Sequence, residues 1–172
     1  YPSKNLGGAG DGGMVTTNDD EAADLIRKLR DHGRISHYGH GMIGFTYRLD
    51  ALQAAVLGVK LLHIDDWNEA RRQHAARFSE LLADLGLVLP YEAECCRSVY
   101  HCYVVRAPRR DELVQHLRSK GIGAGVHYPL PVHLQPAYAF MGLGRGSYPV
   151  AEAAADAVLT LPLVLPPTVL GY

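Results

Sequence analysis

The stretch YPSKNLGGAGDGG, residues 1–13, sets a single lysine, Lys4, in a run of glycine and small polar residues. A lysine that acts as a nucleophile needs a bound carbonyl compound and room for the adduct that forms. Glycines let the backbone approach such an adduct closely. The residues alone leave two interpretations open: a lysine that binds an aldehyde cofactor such as pyridoxal phosphate, or a solvated surface lysine.

The composition is that of an ordered globular protein, with 48% hydrophobic and 20% charged residues in 172. A formal net charge of -1 provides no basic field for nucleic acid or for a membrane surface. No apolar run reaches the ~18 residues of a membrane span. Three cysteines, with Cys95 next to Cys96, argue against a disulfide framework. We therefore expect a cytoplasmic protein that binds a small molecule, with no nucleic-acid or membrane partner.

The first third of the chain carries the signals of a strand and an amphipathic helix. Residues 12–17, GGMVTT, predict a short strand. Asn18 is the predicted N-cap of the helix that follows, and Gly33 is its predicted stop. The predicted buried face has helical spacing and consists of Ala22, Leu25, Ile26 and Leu29.

The remainder predicts one long helix and then a set of shorter elements. Residues 50–85 contain no proline and keep a helical apolar pattern, so they predict a helix, straight or kinked, with a domain boundary near its middle. Shorter elements are predicted at residues 99–106 (strand), after Pro108 (helix) and at residues 150–161 (helix). This alternation predicts a small α/β domain.

Two loops contain candidate functional residues. Glycine and proline are dense between residues 123 and 136, where His127, Tyr128 and His133 interleave with them, as in loops that carry binding groups. His37 and His40 lie in another irregular segment, but no third metal ligand is close to them in sequence. We expect no metal site there.

Four segments, in order, resemble the DegT/DnrJ/EryC1/StrS family of sugar aminotransferases. They are residues 1–13, 44–55 (GFTYRLDALQAA), 98–101 (SVYH) and 121–138 (GIGAGVHYPLPVHLQPAY). The resemblance covers nearly all of the chain and corresponds to the C-terminal portion only of a family member. It implies an α/β fold, the pyridoxal-phosphate-dependent transferase fold type I. Residues 1–66 would then be the end of the large cofactor-binding domain, and residues 67–172 the small C-terminal α/β domain.

The resemblance also implies an activity. Family members transfer an amino group, here with glutamate as the expected donor, to a keto group of a nucleotide-diphosphate sugar. They act as homodimers with shared active sites. Lys4 would be the catalytic residue and would hold pyridoxal 5'-phosphate as a covalent aldimine. Because family members with histidine at this position act as dehydratases, the lysine favours amino transfer.

Further site residues follow from the same match. The cofactor would contact Lys4, Asn5, Thr46 and Arg48; Thr46 stands where the family usually has an asparagine that reaches the cofactor phosphate of the partner subunit. The implied substrate-binding residues are Arg34, His101, His127, Tyr128 and His133.

Several groups that the family uses cannot be placed in this chain. They are the residue that stacks on the cofactor ring, the acidic partner of the pyridine nitrogen and the small polar residues around the phosphate, all of which precede the lysine in family members. By the same resemblance, the family's final helix would follow residues 165–172 and would not be included in this chain. The alternative expectation is therefore a truncated, non-catalytic fragment or interaction module that keeps the family fold and binds no cofactor.

Overall fold

The computed structural model describes residues 1–163, and these divide into two units. The first unit is Tyr1–Asp65, and the second begins at Asp66. The identification of these units with the large and small domains of the family stays a prediction. The final residues of the predicted small domain, 164–172, lie outside the described residues.

The first helix, α1 (Asp20–Leu29), begins one residue later than the sequence predicts. Its N-cap is Asp19, whose carboxylate accepts a hydrogen bond from the Ala22 N–H at 3.1 Å, so the prediction of Asn18 was wrong. Beyond its C-terminus, Gly33 N–H donates to Lys28 O at 2.8 Å. The helix nevertheless ends at Leu29 with Arg30 as its C-cap, earlier than the predicted stop, and Gly33 lies in the turn that follows.

Residues 12–17 form no strand within the described part of the chain, contrary to the prediction. All six residues are exposed. An extended segment becomes a strand only when another strand satisfies its backbone groups, and neither described strand pairs with this one.

The predicted long helix is two helices, α2 (Ala51–Leu61) and α3 (Ile64–Leu82). At the break, Leu62 N–H donates to Val59 O and His63 N–H donates to Lys60 O, at 3.3 and 3.0 Å. These i to i+3 bonds replace the i to i+4 ladder and form a tight turn between the helices.

The second unit is built on a two-stranded antiparallel sheet. Its strands are β1 (Tyr103–Arg106) and β2 (Val158–Leu161), with Val105 opposite Leu159. Tyr103, Val105 and Leu159 are fully buried. Helix α4 (Arg110–Ser119) contributes Val114 to the same core. Two short 3-10 helices, Val132–Leu134 and Pro136–Met141, precede α5 (Pro149–Ala157).

The last helix ends earlier than the sequence predicts, because residues 158–161 belong to β2. Leu159 pairs with Val105 and is 0% exposed, so the burial gained by pairing outweighs continuation of the helix. Arg110 donates to Ala155 O and Val158 O, at 3.1 and 3.2 Å. The guanidinium group thereby satisfies carbonyls at the helix terminus.

Burial of apolar side chains differs sharply between the units. In residues 1–65 no apolar side chain is buried, and the predicted inner face of α1 includes Leu25, which is 45% exposed. Helix α2 is mostly apolar, yet it has no buried residue either. The hydrophobic core of the described residues therefore belongs to the second unit.

We predict that Leu159→Ala lowers the free energy of unfolding of the second unit by about 2–5 kcal/mol, because it leaves a cavity in a fully buried position. Urea denaturation followed by the fluorescence of Trp67, the one tryptophan of the chain, measures it. Val150→Ala is the control, since Val150 is 82% exposed and should change the value by less than about 0.5 kcal/mol. Equal effects of the two substitutions would contradict this core.

We also predict that amide hydrogens of α1 and α2 exchange much faster than those of β1 when this chain is studied alone. Helices without buried apolar contacts open at little cost in free energy, whereas β1 lies in the core. Hydrogen exchange followed by mass spectrometry measures both in one sample. Protection of α1 equal to that of β1 would show that the first unit has a core of its own.

Candidate active site

Lys4 lies in a tight turn at the start of the chain, and its side chain is exposed. The Lys4 N–H donates to Tyr1 O at 3.1 Å. Gly7 has a φ of +40°, and a Cβ at this position would collide with Pro2 O. Glycine is therefore required at position 7 for the turn to close. Asn5 lies half-buried within the same turn.

Helix α2 holds the glycine-rich segment that follows. The Gln53 side chain accepts a hydrogen bond from the Ala9 N–H at 2.9 Å. A Cβ on Gly10 would collide with the end of the Gln53 side chain as it lies in this structure. Lys60, also on α2, donates to Gly7 O. These two hydrogen bonds tie the segment after Lys4 to α2. An exposed primary amine on a turn of fixed backbone suits an aldehyde cofactor, so the residues present fit pyridoxal phosphate.

Three of the predicted site residues gather around Asp31, forming the Asp31 cluster (Asp31, Arg34, Thr46 and Arg48). Arg34 Nη1 and Arg48 Nη1 each lie 3.6 Å from an Asp31 carboxylate oxygen. Asp31 Oδ1 is buried and has no hydrogen-bond partner. Two guanidinium groups against one carboxylate leave a net positive charge, which favours an anionic ligand.

Backbone hydrogen bonds position Thr46 in this cluster. Phe45 N–H donates to Leu29 O at 2.7 Å, and Tyr47 N–H donates to Arg30 O at 2.9 Å. The Thr46 hydroxyl lies 3.3 Å from His32 Nε2 and 3.4 Å from His32 Nδ1. The loop is therefore anchored to the end of α1 on both sides of Thr46.

In the second unit, His127, Tyr128 and His133 line one cavity of about 670 Å³. His127 Nδ1 lies 2.9 Å from Thr160 Oγ1, which ties its ring to β2. Tyr128 is 72% exposed, and its ring meets His127 edge-on with centroids 5.4 Å apart. The peptide bond between these two residues is cis. The other lining residues are mainly apolar and include Leu130, Pro131, Tyr138, Met141 and Tyr148.

His133 is buried and contacts a glutamate that sequence reasoning missed. His133 Nε2 lies 3.0 Å from Glu152 Oε1. Backbone N–H donors, foremost that of Gly146 and then that of Tyr148, hold the pKa of Glu152 below its usual value, together with His133 and against the opposing effect of burial. The available signal was a single acidic residue among alanines in the first turn of α5.

His101 is not among the residues that line this cavity in the described chain; it lies exposed before β1. Arg71 on α3 donates to Tyr100 O and His101 O at 3.3 and 3.4 Å. Arg72 pairs with Glu92 at 2.8 Å, and this hydrogen bond lowers the pKa of Glu92. Burial first, and then Glu92, raise the pKa of Tyr100. This polar network holds the segment that carries His101 on helix α3.

The described residues contain no group of three or more histidine, cysteine or acidic side chains that could hold a metal ion. No helix among them is long and apolar enough to cross a membrane. Cys95, Cys96 and Cys102 are free thiols.

Comparison with known proteins places this geometry in a family. The DegT/DnrJ/EryC1/StrS aminotransferase family matches residues 1–166. The chain is 49% identical over 164 residues to the erythromycin biosynthesis sensory transduction protein EryC1 of Saccharopolyspora erythraea. It is 48% identical over 166 residues to a pleiotropic regulatory protein of Geobacillus stearothermophilus. It is 48% identical over 164 residues to dTDP-3-amino-3,4,6-trideoxy-alpha-D-glucose transaminase of Streptomyces venezuelae. These matches cover 95% of this chain and 45%, 45% and 43% of the respective relatives.

Solved structures agree. The S. venezuelae protein DesV, in complex with a ketimine intermediate, matches with a TM-score of 0.91 and 48% identity, over 94% of this chain and 44% of that chain. A DegT DnrJ EryC1 StrS aminotransferase from Brucella abortus matches with a TM-score of 0.88 and 39% identity, over 94% of this chain and 43% of that chain. The chain thus spans less than half the length of these relatives. It belongs to the DegT/DnrJ/EryC1/StrS aminotransferase family and has the fold of the C-terminal portion of a family member.

Proposed function

We propose that a longer protein containing this chain is a pyridoxal-phosphate-dependent aminotransferase. It transfers an amino group from glutamate to a keto group of a nucleotide-diphosphate sugar. The observation that carries this proposal is Lys4, an exposed amine on a glycine-fixed turn, in a chain that is 48% identical to a dTDP-amino-sugar transaminase. A second relative, 39% identical, is a UDP-N-acetyl-3-dehydro-alpha-D-glucosamine aminotransferase of Acidithiobacillus ferrooxidans. The substrate class, a nucleotide sugar, is common to both names.

Lys4 has two roles in this proposal. Its Nζ would hold the cofactor, and its neutral amine would then move a proton from Cα of the amine donor to the aldehyde carbon of the cofactor. When bound, pyridoxal phosphate supplies an aldehyde and a ring that accepts electrons. The turn closed by Gly7 keeps the Lys4 backbone in one position while the side chain moves between these tasks. Asn5, in the same turn, is a further proposed cofactor contact.

The Asp31 cluster is the proposed phosphate contact. The Thr46 hydroxyl donates one hydrogen bond, and Arg48 offers a fork of N–H donors. Asp31 holds Arg34 and Arg48 by ion pairs at 3.6 Å and so keeps two positive charges together. Arg34 faces the anionic part of the nucleotide sugar. In a homodimer with shared active sites, this cluster would serve the site of the partner subunit.

The second-unit cavity is the proposed site for the nucleotide sugar. Apolar walls and a few imidazole and phenol groups suit a ring that carries hydroxyl and keto groups. His127 and Tyr128 present these polar groups at the surface, and His133 forms an inner wall. His101 is proposed to contact substrate from the segment held on α3. Free thiols are consistent with a cytoplasmic enzyme.

The alternative is a non-catalytic fragment or interaction module. One observation favours it: residues 1–65, which carry the proposed cofactor contacts, bury no apolar side chain. A unit without a core holds a site in place only when other protein covers it. The experiment that follows separates the two hypotheses.

We predict that borohydride reduction with pyridoxal phosphate adds one cofactor adduct at Lys4 in the longer protein. The visible absorption band of the lysine-bound cofactor should disappear on reduction. Peptide mapping by mass spectrometry locates the adduct. Lys4→Ala should abolish it, whereas Lys120→Ala, at the C-terminal end of α4, should leave it unchanged.

Two results would oppose the assignment. An adduct on another lysine means that Lys4 is not the cofactor residue. No adduct on either the longer protein or this chain supports the non-catalytic alternative.

We predict that Thr46→Val weakens the binding of pyridoxal phosphate by about ten- to a hundredfold, because a hydrogen bond to a charged group contributes about 1.5–3 kcal/mol. Valine keeps the shape and removes the hydroxyl. Equilibrium dialysis of the longer protein measures the affinity. Thr46→Ser is the matched control and should retain most of it. If the Thr46→Val variant binds pyridoxal phosphate as tightly as the wild type, Thr46 is not a phosphate contact.

A further inference from the structure

The cavity of the second unit has two walls that come from different segments. One wall is the 3-10 helix Val132–Leu134, which carries His133, and the other is the loop that carries Tyr148. The two rings meet edge-on with centroids 4.9 Å apart. Helix α5 forms the floor through Ala151, Ala154 and Ala155. Because each of these segments is short and irregular, an additional interaction is needed to keep His133 and Tyr148 in contact.

Glu152 of α5 connects the two walls. Its Oε1 accepts hydrogen bonds from His133 Nε2 at 3.0 Å and from Tyr148 N–H at 3.2 Å. The Gly146 N–H donates to both carboxylate oxygens at 2.9 Å. We call these four residues the Glu152 cluster. Glu152 itself is not one of the described residues that line the cavity.

The chemistry of the Glu152 cluster calls for a carboxylate. Glu152 is 8% exposed, and burying a charge is unfavourable unless donors compensate it. Each neighbour named here presents an N–H group. An ionised carboxylate only accepts, so it satisfies all of them. Glutamine with its oxygen at the place of Oε1 would set its N–H₂ group at the place of Oε2, against the Gly146 N–H donor, and its neutral oxygen would accept the other hydrogen bonds more weakly.

We propose that Glu152 is a positioning residue for the ligand cavity: it keeps His133 and Tyr148 packed against each other, so that the lining they form has the shape that the nucleotide sugar requires. It acts through these residues and not by touching the ligand. This inference rests on the proposed function, since it takes the nucleotide sugar as the occupant of the cavity.

The role of His133 follows from the same contact. A carboxylate acceptor at 3.0 Å fixes a proton on His133 Nε2. That nitrogen is therefore directed at Glu152 and not at a ligand. His133 contributes to the cavity as a wall, through its ring and its packing on Tyr148.

The test uses the longer protein, with thymidine diphosphate as the probe of the cavity. We expect Glu152→Gln to weaken probe binding about tenfold in isothermal titration calorimetry, because its N–H₂ group opposes the Gly146 N–H and the loss of the charge weakens the hydrogen bonds from His133 and Tyr148. Hydrogen exchange at Gly146 and Tyr148 should accelerate, while β1 exchanges as in the wild type. Borohydride labelling of Lys4 should be unchanged, since a merely global loss of structure would lower it as well.

Asp156→Asn is the matched control. Asp156 is on the same helix and loses the same charge, but its ion pair with Arg145, at 3.6 Å, is exposed. It should bind the probe like the wild type. If it weakens binding as much as Glu152→Gln, the effect is one of charge and the proposal is wrong. If Glu152→Gln itself binds like the wild type, the proposal is also wrong.

Two variants of His133 test the link directly. The His133→Gln side chain keeps an N–H group that can reach Glu152, whereas His133→Ala removes it. We expect glutamine to retain most of the probe affinity and alanine to lose about as much as Glu152→Gln, with no further loss when the two changes are combined. Additive losses would overturn the link. Wild-type protein that labels at Lys4 but does not bind the probe would refute the proposed occupant, before any variant is compared.

Discussion

The pairing of β1 with β2 is the constraint on which the second unit depends. It buries Val105 and Leu159 opposite each other and so joins two segments that are far apart in sequence. The same strand β2 also pairs with residue Gly125, through two hydrogen bonds with Thr160 at 2.8 and 3.2 Å. The Thr160 side chain in turn holds the His127 ring. The position of His127, a proposed substrate contact, is thus a consequence of the burial of Leu159, which is next to Thr160 in sequence.

The junction between α5 and β2 links this core to the cavity wall. Because the helix stops at Ala157, the strand can place Leu159 inside the core, and Glu152 lies on the buried side of the helix. Arg110 stabilises this junction by binding two carbonyls at the end of α5. A helix continued to residue 161, as the sequence pattern predicts, would remove β2 from the sheet. Fold and cavity therefore depend on one helix end.

Local signals were sufficient where an element depends on its own residues, and they failed where it depends on distant ones. The acidic start of α1, the glycine turn that follows this helix and the helix after Pro108 could be read from sequence. Residues 158–161 could not, because apolar residues suit a helix and a strand equally and the deciding partner, β1, is remote. Glu152 was missed for the same reason: its donors lie in loops that no periodicity positions.

The proposed site residues of the first unit and those of the second unit are held in place by different interactions. In the second unit, His127 and His133 are attached to strand β2 and to a buried carboxylate, so their geometry is tied to a core that the described residues already contain. Lys4 and Arg48 lie in a unit without buried apolar side chains, where a glycine-closed turn and ion pairs at 3.6 Å fix local geometry only. Polar contacts among exposed groups contribute little stability by themselves. Covering the apolar surface of the first unit with further protein is therefore the step that would convert its local geometry into a rigid cofactor site.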